Sequence, residues 1–249
     1  QGVETTRLIG DAGRPTTTKT RVIAAHQQIV RVDEEDTGPI SDAIVADVLK
    51  AVKTDLASAA AIVISDYAKG FLTPQLLESV IAEARLAGKR VFVDPKGADP
   101  VRYQGAFLLN PNLLERSLLT GLPSVTHAEI LAAGSRLAGK MPGTHILVTE
   151  GDEGMTLFLE SQPPEHVAST PRQVFDVTGA GDTVLAVITM AVTLGASGSH
   201  ARRLATVAAG IAIGKRGSVA AGLGDQQKTS RRPRAGAAAS PRCRTASLD

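Results

Sequence analysis

These 249 residues predict an α/β protein built on a doubly wound, mainly parallel sheet flanked by helices, on three grounds. Short apolar runs alternate with amphipathic helical stretches, the order in which a parallel sheet is wound with helices. Each run stops at or just before a polar residue, which collects polar side chains at one edge of the sheet, where such folds bind ligands. The chain is 43% hydrophobic, enough for a sizeable core in one large domain or two small ones.

The elements follow in order. TTTKTRVIAAHQQIVRVDEED (16–36) is β-branched and alternating, and reads as strands near a sheet edge, a β-rich N-terminal lid or edge segment. A helix fits 41–57, capped by Ser41, with Ile44, Val45, Val48, Leu49 and Val52 inward. AIVIS (61–65) is a buried strand. In the helix over 73–87, Thr73 caps and Pro74 suits the first turn, while Leu76, Leu77, Val80, Ile81 and Ala84 make one face and Gly88 ends it. RVFVD (90–94), AFLLN (106–110) and HILVT (145–149) are further strands, and helices fit 126–139, 179–194 and 200–213. The strand ends carry Ser65, Asp94, Asn110 and Thr149.

Composition excludes several functions. Aromatics are 3% of the chain and Trp is absent, which argues against a base-stacking nucleic-acid surface. A single cysteine, Cys243, permits no internal disulfide and no cysteine-based metal site, so a reducing, cytoplasmic compartment is expected. The five histidines, His26, His127, His145, His166 and His200, show no metal-ligand spacing. No apolar run approaches the roughly 18–20 residues that cross a bilayer, and QGVETTRLIG lacks the apolar centre of a signal peptide. The formal charge of +2 is uneven, with eight Lys and Arg against two Asp from Lys215 onward. Residues 218–249, rich in Gly, Ala, Ser and Pro, read as a basic, disordered tail. The alternative for such a tail is contact with nucleic acid or anionic lipid.

Two glycine motifs compete for a phosphate. GSRLAGKM (134–141) matches part of a P-loop, but Met141 stands where Ser or Thr would hold Mg²⁺, and the match lies within a helical pattern rather than between strand and helix. Lys140 there reads as a solvated helix end. FDVTGAGDTVLA (175–186) fits better. Gly179 and Gly181 let the backbone approach a ligand, and the apolar run after them puts a helix N-terminus beside the loop, an anion hole from residues 179–182 including Ala180. Asp182 repels a phosphate that is merely bound; it makes sense as a general base taking the proton of an attacking hydroxyl. The plainer alternative is a helix cap after a Gly turn.

DVTGAGD resembles the C-terminal signature of the ribokinase-like (PfkB-type) carbohydrate kinases. NPNLLE (110–115) contains Asn112-x-x-Glu115, similar to that family's N-x-x-E element, associated with Mg²⁺ and the nucleotide phosphates. An amide and a carboxylate one turn apart can share the water shell of Mg²⁺; alone the pattern is weak, and its place after a strand and before TGAGD strengthens it. PTTTKTRVIAAHQQIVRVDEED (15–36), SDYAKGFLT (65–73), VDPKG (93–97) and VFDVTGAGDTV (174–184) resemble the bacterial D-glycero-β-D-manno-heptose 7-phosphate kinases of lipopolysaccharide assembly.

The resemblance implies a ribokinase-like fold and transfer of the ATP γ-phosphate to the anomeric hydroxyl of a sugar phosphorylated at C7. Asp182 is then the base, and Thr149, Glu150, Gly151 and Gly154 the nucleotide-side loop. Lys19, Arg21, Lys69 and Lys96 supply cations for the sugar phosphate, and Asp66 and Asp94 accept sugar hydroxyls. The alternatives are edge-strand charges for Lys19 and Arg21, and ordinary loop lysines for Lys69 and Lys96. Asp33 reads as a solvated strand end. ATP and Mg²⁺ are the expected cofactors, and a homodimer through 18–32 the expected assembly, with neither membrane nor nucleic acid as partner. Family members carry a further N-terminal part with a Gly-Gly element, so residues 1–217 are expected to be an N-terminally incomplete kinase domain. Two other readings stay open: a ribokinase-like kinase for an unphosphorylated sugar, and a non-catalytic nucleotide-binding fragment.

Overall fold

Period-2 alternation decides how the strands of this chain are covered. In the computed structural model, which describes residues 5–24, 27–123, 126–160, 162–169 and 179–196, the main sheet has six strands. They are β3 (Ala61–Ser65), β4 (Arg90–Asp94), β5 (Leu108–Leu109), β6 (His145–Thr149), β7 (Gly154–Phe158) and β8 (Glu165–Ala168), neighbours in that order. The first four run parallel, β7 pairs antiparallel with β6, and β8 pairs antiparallel with β7. Val91, Val93, Leu109, Ile146 and Val148 point to one core, and Phe92, Leu108 and Leu147 to the other. Such strands read as unbroken apolar runs because both faces are covered. Each buried side chain of this size stabilises the fold by about 1.5–3 kcal/mol.

Helices α1 (Asp42–Asp55), α2 (Pro74–Leu86), α3 (Leu113–Thr120) and α4 (His127–Lys140) contribute to the first core through residues such as Val45, Leu76, Leu77, Leu119 and Leu137. Helix α5 (Ala180–Thr193) covers the other face with Val184, Leu185 and Ile188. The sheet is thus doubly wound. The helix starts lie where their caps put them: Ser41, Thr73 and Thr126 each accept a bond from the backbone amide three residues on. The P-loop-like segment 134–141 lies inside α4 and at its end. Lys140 is less free than a solvated end, since its Nζ reaches the Leu119 carbonyl at 3.4 Å.

The β-rich N-terminal segment is present as a small sheet of its own, in which β1 (Thr18–Ala24) and β2 (Gln27–Glu34) pair antiparallel. Two expectations change. Regular pairing over 106–110 narrows to Leu108–Leu109, although the Phe107 and Asn110 amides still donate to Val91 and Val93. Strands β7 and β8, absent from the sequence reading, extend the sheet. The helix expected over 200–213, the tail 218–249 and residues 175–178 lie outside the described residues.

Candidate active site

The polar residues that end β3 to β6 gather on one edge of the sheet. Asp66, just after β3, is 5% exposed and donates its amide to the Asp94 carbonyl. Its carboxylate accepts the Tyr103 hydroxyl at 2.6 Å and the Ala68 amide at 2.7 Å, with Arg102 Nη2 at 3.5 Å. Ala68, held in this turn, is the non-glycine residue with positive φ (53°) among the described residues. The Tyr103 hydroxyl also accepts the Lys96 amide at 3.0 Å. Burial and the Asp66 bond push the Tyr103 hydroxyl above its usual range. Asp66 therefore ties the exits of β3 and β4 together through three internal donors.

Asn112 and Glu115 form a capping box at the start of α3. The Glu115 amide donates to Asn112 Oδ1 at 2.9 Å and the Asn112 amide to Glu115 Oε2 at 3.0 Å. The other carboxylate oxygen, Oε1, receives Lys96 Nζ at 2.8 Å. That bond holds the Lys96 ammonium above its usual range. Asp94 is half-buried among these groups. Burial, then the charges of Glu115 and Asp182, push its carboxyl up to about 7 against the pull of Lys96.

Asp182 is exposed in the first turn of α5. Gly179 caps that helix at φ 78° and its carbonyl accepts the Thr183 amide at 3.0 Å. By helical geometry the amides of Ala180, Gly181 and Asp182 precede the first intrahelical bond and point outward from the helix end.

The loop after β6 stands beside the capping box, for Thr149 bridges Asn112 and donates its amide to the Pro111 carbonyl at 3.1 Å. Glu150 turns inward. It is 3% exposed, next to the fully buried Arg116, with His166 Nδ1 3.9 Å from its Oε2. Gly151 has φ 63°. Gly154 has φ 116°, and a Cβ there would meet the Val167 carbonyl oxygen at 2.1 Å. Gly154 thus serves the close pairing of β7 with β8.

Lys19, Arg21 and Lys69 gather elsewhere, on and against the β1–β2 hairpin. Lys19 bonds Asp33 at 3.0 Å and lies 3.6 Å from Glu35, and Lys69 bonds Glu35. Arg21 stands opposite Arg31, whose Nε is 2.9 Å from Asp33. Asp33 is accordingly no solvated strand end. Sequence reasoning missed Glu35, Tyr103 and Arg102, whose partners are distant in the chain. It also missed Asn110 as a site residue. Asn110 is 1% exposed at the end of β5, and neither atom of its amide has a partner among the described residues. An unbroken polar ending to an apolar strand was the available signal.

Two cavities among the described residues lie away from this edge. One of about 420 Å³ is lined by Leu8, Ile9, Val48 and Phe71, and another of about 450 Å³ by Arg90, Phe107 and His145 at the opposite strand ends. Among the described residues no three His, Cys, Asp or Glu are grouped to hold a metal directly, and no helix is long and apolar enough to cross a membrane.

The profile of the pfkB family carbohydrate kinases matches residues 1–223. Bifunctional protein HldE of Geobacter metallireducens is 44% identical over 218 residues, 88% of this chain and 44% of that protein. Bifunctional protein HldE of Caulobacter vibrioides is 44% identical over 212 residues, 85% of this chain and 43% of that protein. The chain thus spans less than half the length of these curated relatives. Among solved structures, Arabidopsis thaliana ribokinase complexed with ribose and ATP superposes with a TM-score of 0.71 at 23% identity, over 89% of this chain and 71% of that one. Phosphofructokinase-2 from Escherichia coli in complex with potassium gives 0.73 at 21% identity, over 85% and 68%. At that identity the likeness carries the ribokinase-like fold.

Proposed function

We propose, from the premise that this chain belongs to the pfkB family of carbohydrate kinases, that it transfers the γ-phosphate of ATP to the anomeric hydroxyl of D-glycero-β-D-manno-heptose 7-phosphate. The product is the 1,7-bisphosphate, a cytoplasmic precursor of lipopolysaccharide core heptose. One observation carries the reading: α5, whose first turn holds Asp182, packs on β4, the strand that ends in Asp94 and leads to Lys96 and its bond with Glu115.

Asp182 takes the proton of the attacking hydroxyl while the first-turn amides after Gly179 neutralise the moving phosphoryl group. Thr149, Glu150, Gly151 and Gly154 form the turn toward the nucleotide, with Glu150 shaping it from inside. Asp94 accepts a sugar hydroxyl, Asp66 fixes the strand ends around it, and Lys96, Lys69, Lys19 and Arg21 provide positive charge for the phosphorylated end. The donor set suits Mg²⁺ held through its waters. The raised Asp94 carboxyl reports negative charge that a cation would relieve, whereas Asn112 Oδ1 and both Glu115 oxygens already have internal partners. When bound, the ion offsets charge on the nucleotide phosphates. Residues 1–217 make up the kinase unit and 218–249 a separate tail, and a homodimer through the hairpin is the assembly in this reading.

Coupled-enzyme ADP release by the purified chain, comparing heptose 7-phosphate with ribose and with fructose phosphates, tests the substrate. Turnover should favour the heptose. Equal turnover across sugars, or none, removes the claim. A second reading, an unphosphorylated acceptor, draws on the fact that Lys19 and Lys69 are already paired with carboxylates; preference for ribose in the same assay would select it.

A further inference from the structure

Lys19 and Lys69 come from distant parts of the chain and converge on one carboxylate. Glu35 Oε1 bonds Lys69 Nζ, and Lys19 Nζ lies 3.6 Å from Oε2 and 3.0 Å from Asp33. All four side chains are partly buried, from 21% to 33% exposed. The Lys69 ammonium holds the Glu35 carboxyl below the usual carboxylate range, so it is ionised at neutral pH.

The backbone around this cluster is fixed. Arg14 Nη2 donates to the carbonyls of Asp36 and Lys69, each at 2.7 Å. The Ile40 amide donates to the Gly70 carbonyl at 3.1 Å. Gly70 packs so closely on the turn after β2 that a Cβ would meet the Gly38 carbonyl oxygen at 1.7 Å. The Lys69 backbone is therefore clamped to the foot of the hairpin, while the Glu35 carboxylate sits on a rotatable stem between two ammonium groups.

Charge on this face is unbalanced. Lys19, Arg21, Arg31 and Asp33 share one face of the hairpin by register, with Lys19 opposite Asp33 and Arg21 opposite Arg31. With Lys69 they make four cations against Asp33 and Glu35, an excess of two positive charges. A phosphate monoester carries about −1.5 to −2 near pH 7 and three strong acceptor oxygens, so it matches that excess and competes with a carboxylate of charge −1 for two ammonium groups.

We propose that Glu35 is an internal stand-in for the phosphate of a phosphorylated sugar, holding Lys19 and Lys69 together until the incoming phosphate displaces it. The exchange makes Glu35 a specificity-determining residue: an unphosphorylated sugar has no charge with which to displace it. It also frees the Glu35 carboxylate from Lys69, while Arg14 and the Ile40–Gly70 bond keep the backbone of the hairpin foot in place. The inference rests on the reading of a sugar phosphate as acceptor.

Calorimetric titration of the purified chain with inorganic phosphate, and separately with heptose 7-phosphate, tests it without relying on turnover. Glu35→Gln removes the competing charge and should tighten both ligands about tenfold, the effect of about 1.4 kcal/mol. Glu35→Asp, one methylene shorter, should tighten them by less and keeps the test open if Glu35→Gln does not fold. Lys69→Met should weaken both at least tenfold. Unchanged or weaker binding in the two folded Glu35 variants overturns the proposal and makes Glu35 a structural clasp. If the parent binds neither ligand yet releases ADP with an unphosphorylated sugar, the acceptor reading fails and takes the proposal with it.

Discussion

Asp94 reports the charge of the site through its titration. Its carboxyl is raised to about 7, mainly by burial and then by Glu115 and Asp182, so the folded chain holds the proton more tightly than the unfolded chain, whose Asp titrates near ~4. The stability this supplies is full below ~4 and is lost as pH rises through about 7. Asp94→Asn, neutral throughout, should melt close to the parent near pH 4 and above it at pH 8 without added metal. Melting curves that shift in parallel at both pH values would contradict the assignment. Asp182 makes a kinetic prediction. Asp182→Asn should lower kcat by about 10²–10⁴-fold while ATP binding by calorimetry stays within a few-fold; preserved turnover would remove it as the base. Both aspartates were legible in the sequence, one from a strand end and one from a glycine turn before a helix. The commitments of Asp66 and Glu115 were not, because they depend on Tyr103 and Lys96 arriving from other segments. Asn112-x-x-Glu115 illustrates the ambiguity, for the spacing that suits a metal shell also builds a capping box.

At the scale of elements, close backbone approach decides what is tolerated. Gly154 opens β7 at φ 116°, and a Cβ there would lie 2.1 Å from the Val167 carbonyl oxygen. Gly154→Ala should therefore destabilise the chain by about 2–3 kcal/mol in urea unfolding and disturb the turn from Glu150 to Gly154. A change under about 0.5 kcal/mol would mean that β8 shifts at little cost. The starts of α1 and α2 were readable from their caps, since Ser41 and Thr73 act locally. The β7–β8 return was not, because β7 is buried at all five positions and lacks the alternation that marks a half-exposed strand. Strand β5 shows the reverse, an apolar run longer than its regular pairing.

The whole molecule divides into a wound sheet with two covered faces and a hairpin exposed along its first strand. Val22, Ile23, Ile29, Val30 and Val32 of the hairpin are each more than 40% exposed, which leaves little burial to protect its ladder. Native-state hydrogen exchange on dilute protein should find β1–β2 amides at least about 10²-fold less protected than those of β4 and β6. Equal protection would mean that a second copy or another surface covers the hairpin in solution. The sequence displayed the alternation of these strands but not the sheet they join, because local pattern does not name a strand's partner. The kinase reading itself is tested most directly by ³¹P NMR of heptose 7-phosphate incubated with ATP, Mg²⁺ and the purified chain. The account predicts a second sugar phosphorus resonance, coupled to the anomeric proton, growing with ADP while the 7-phosphate signal persists. ADP formed without that resonance, or phosphate arriving at another carbon, would contradict it.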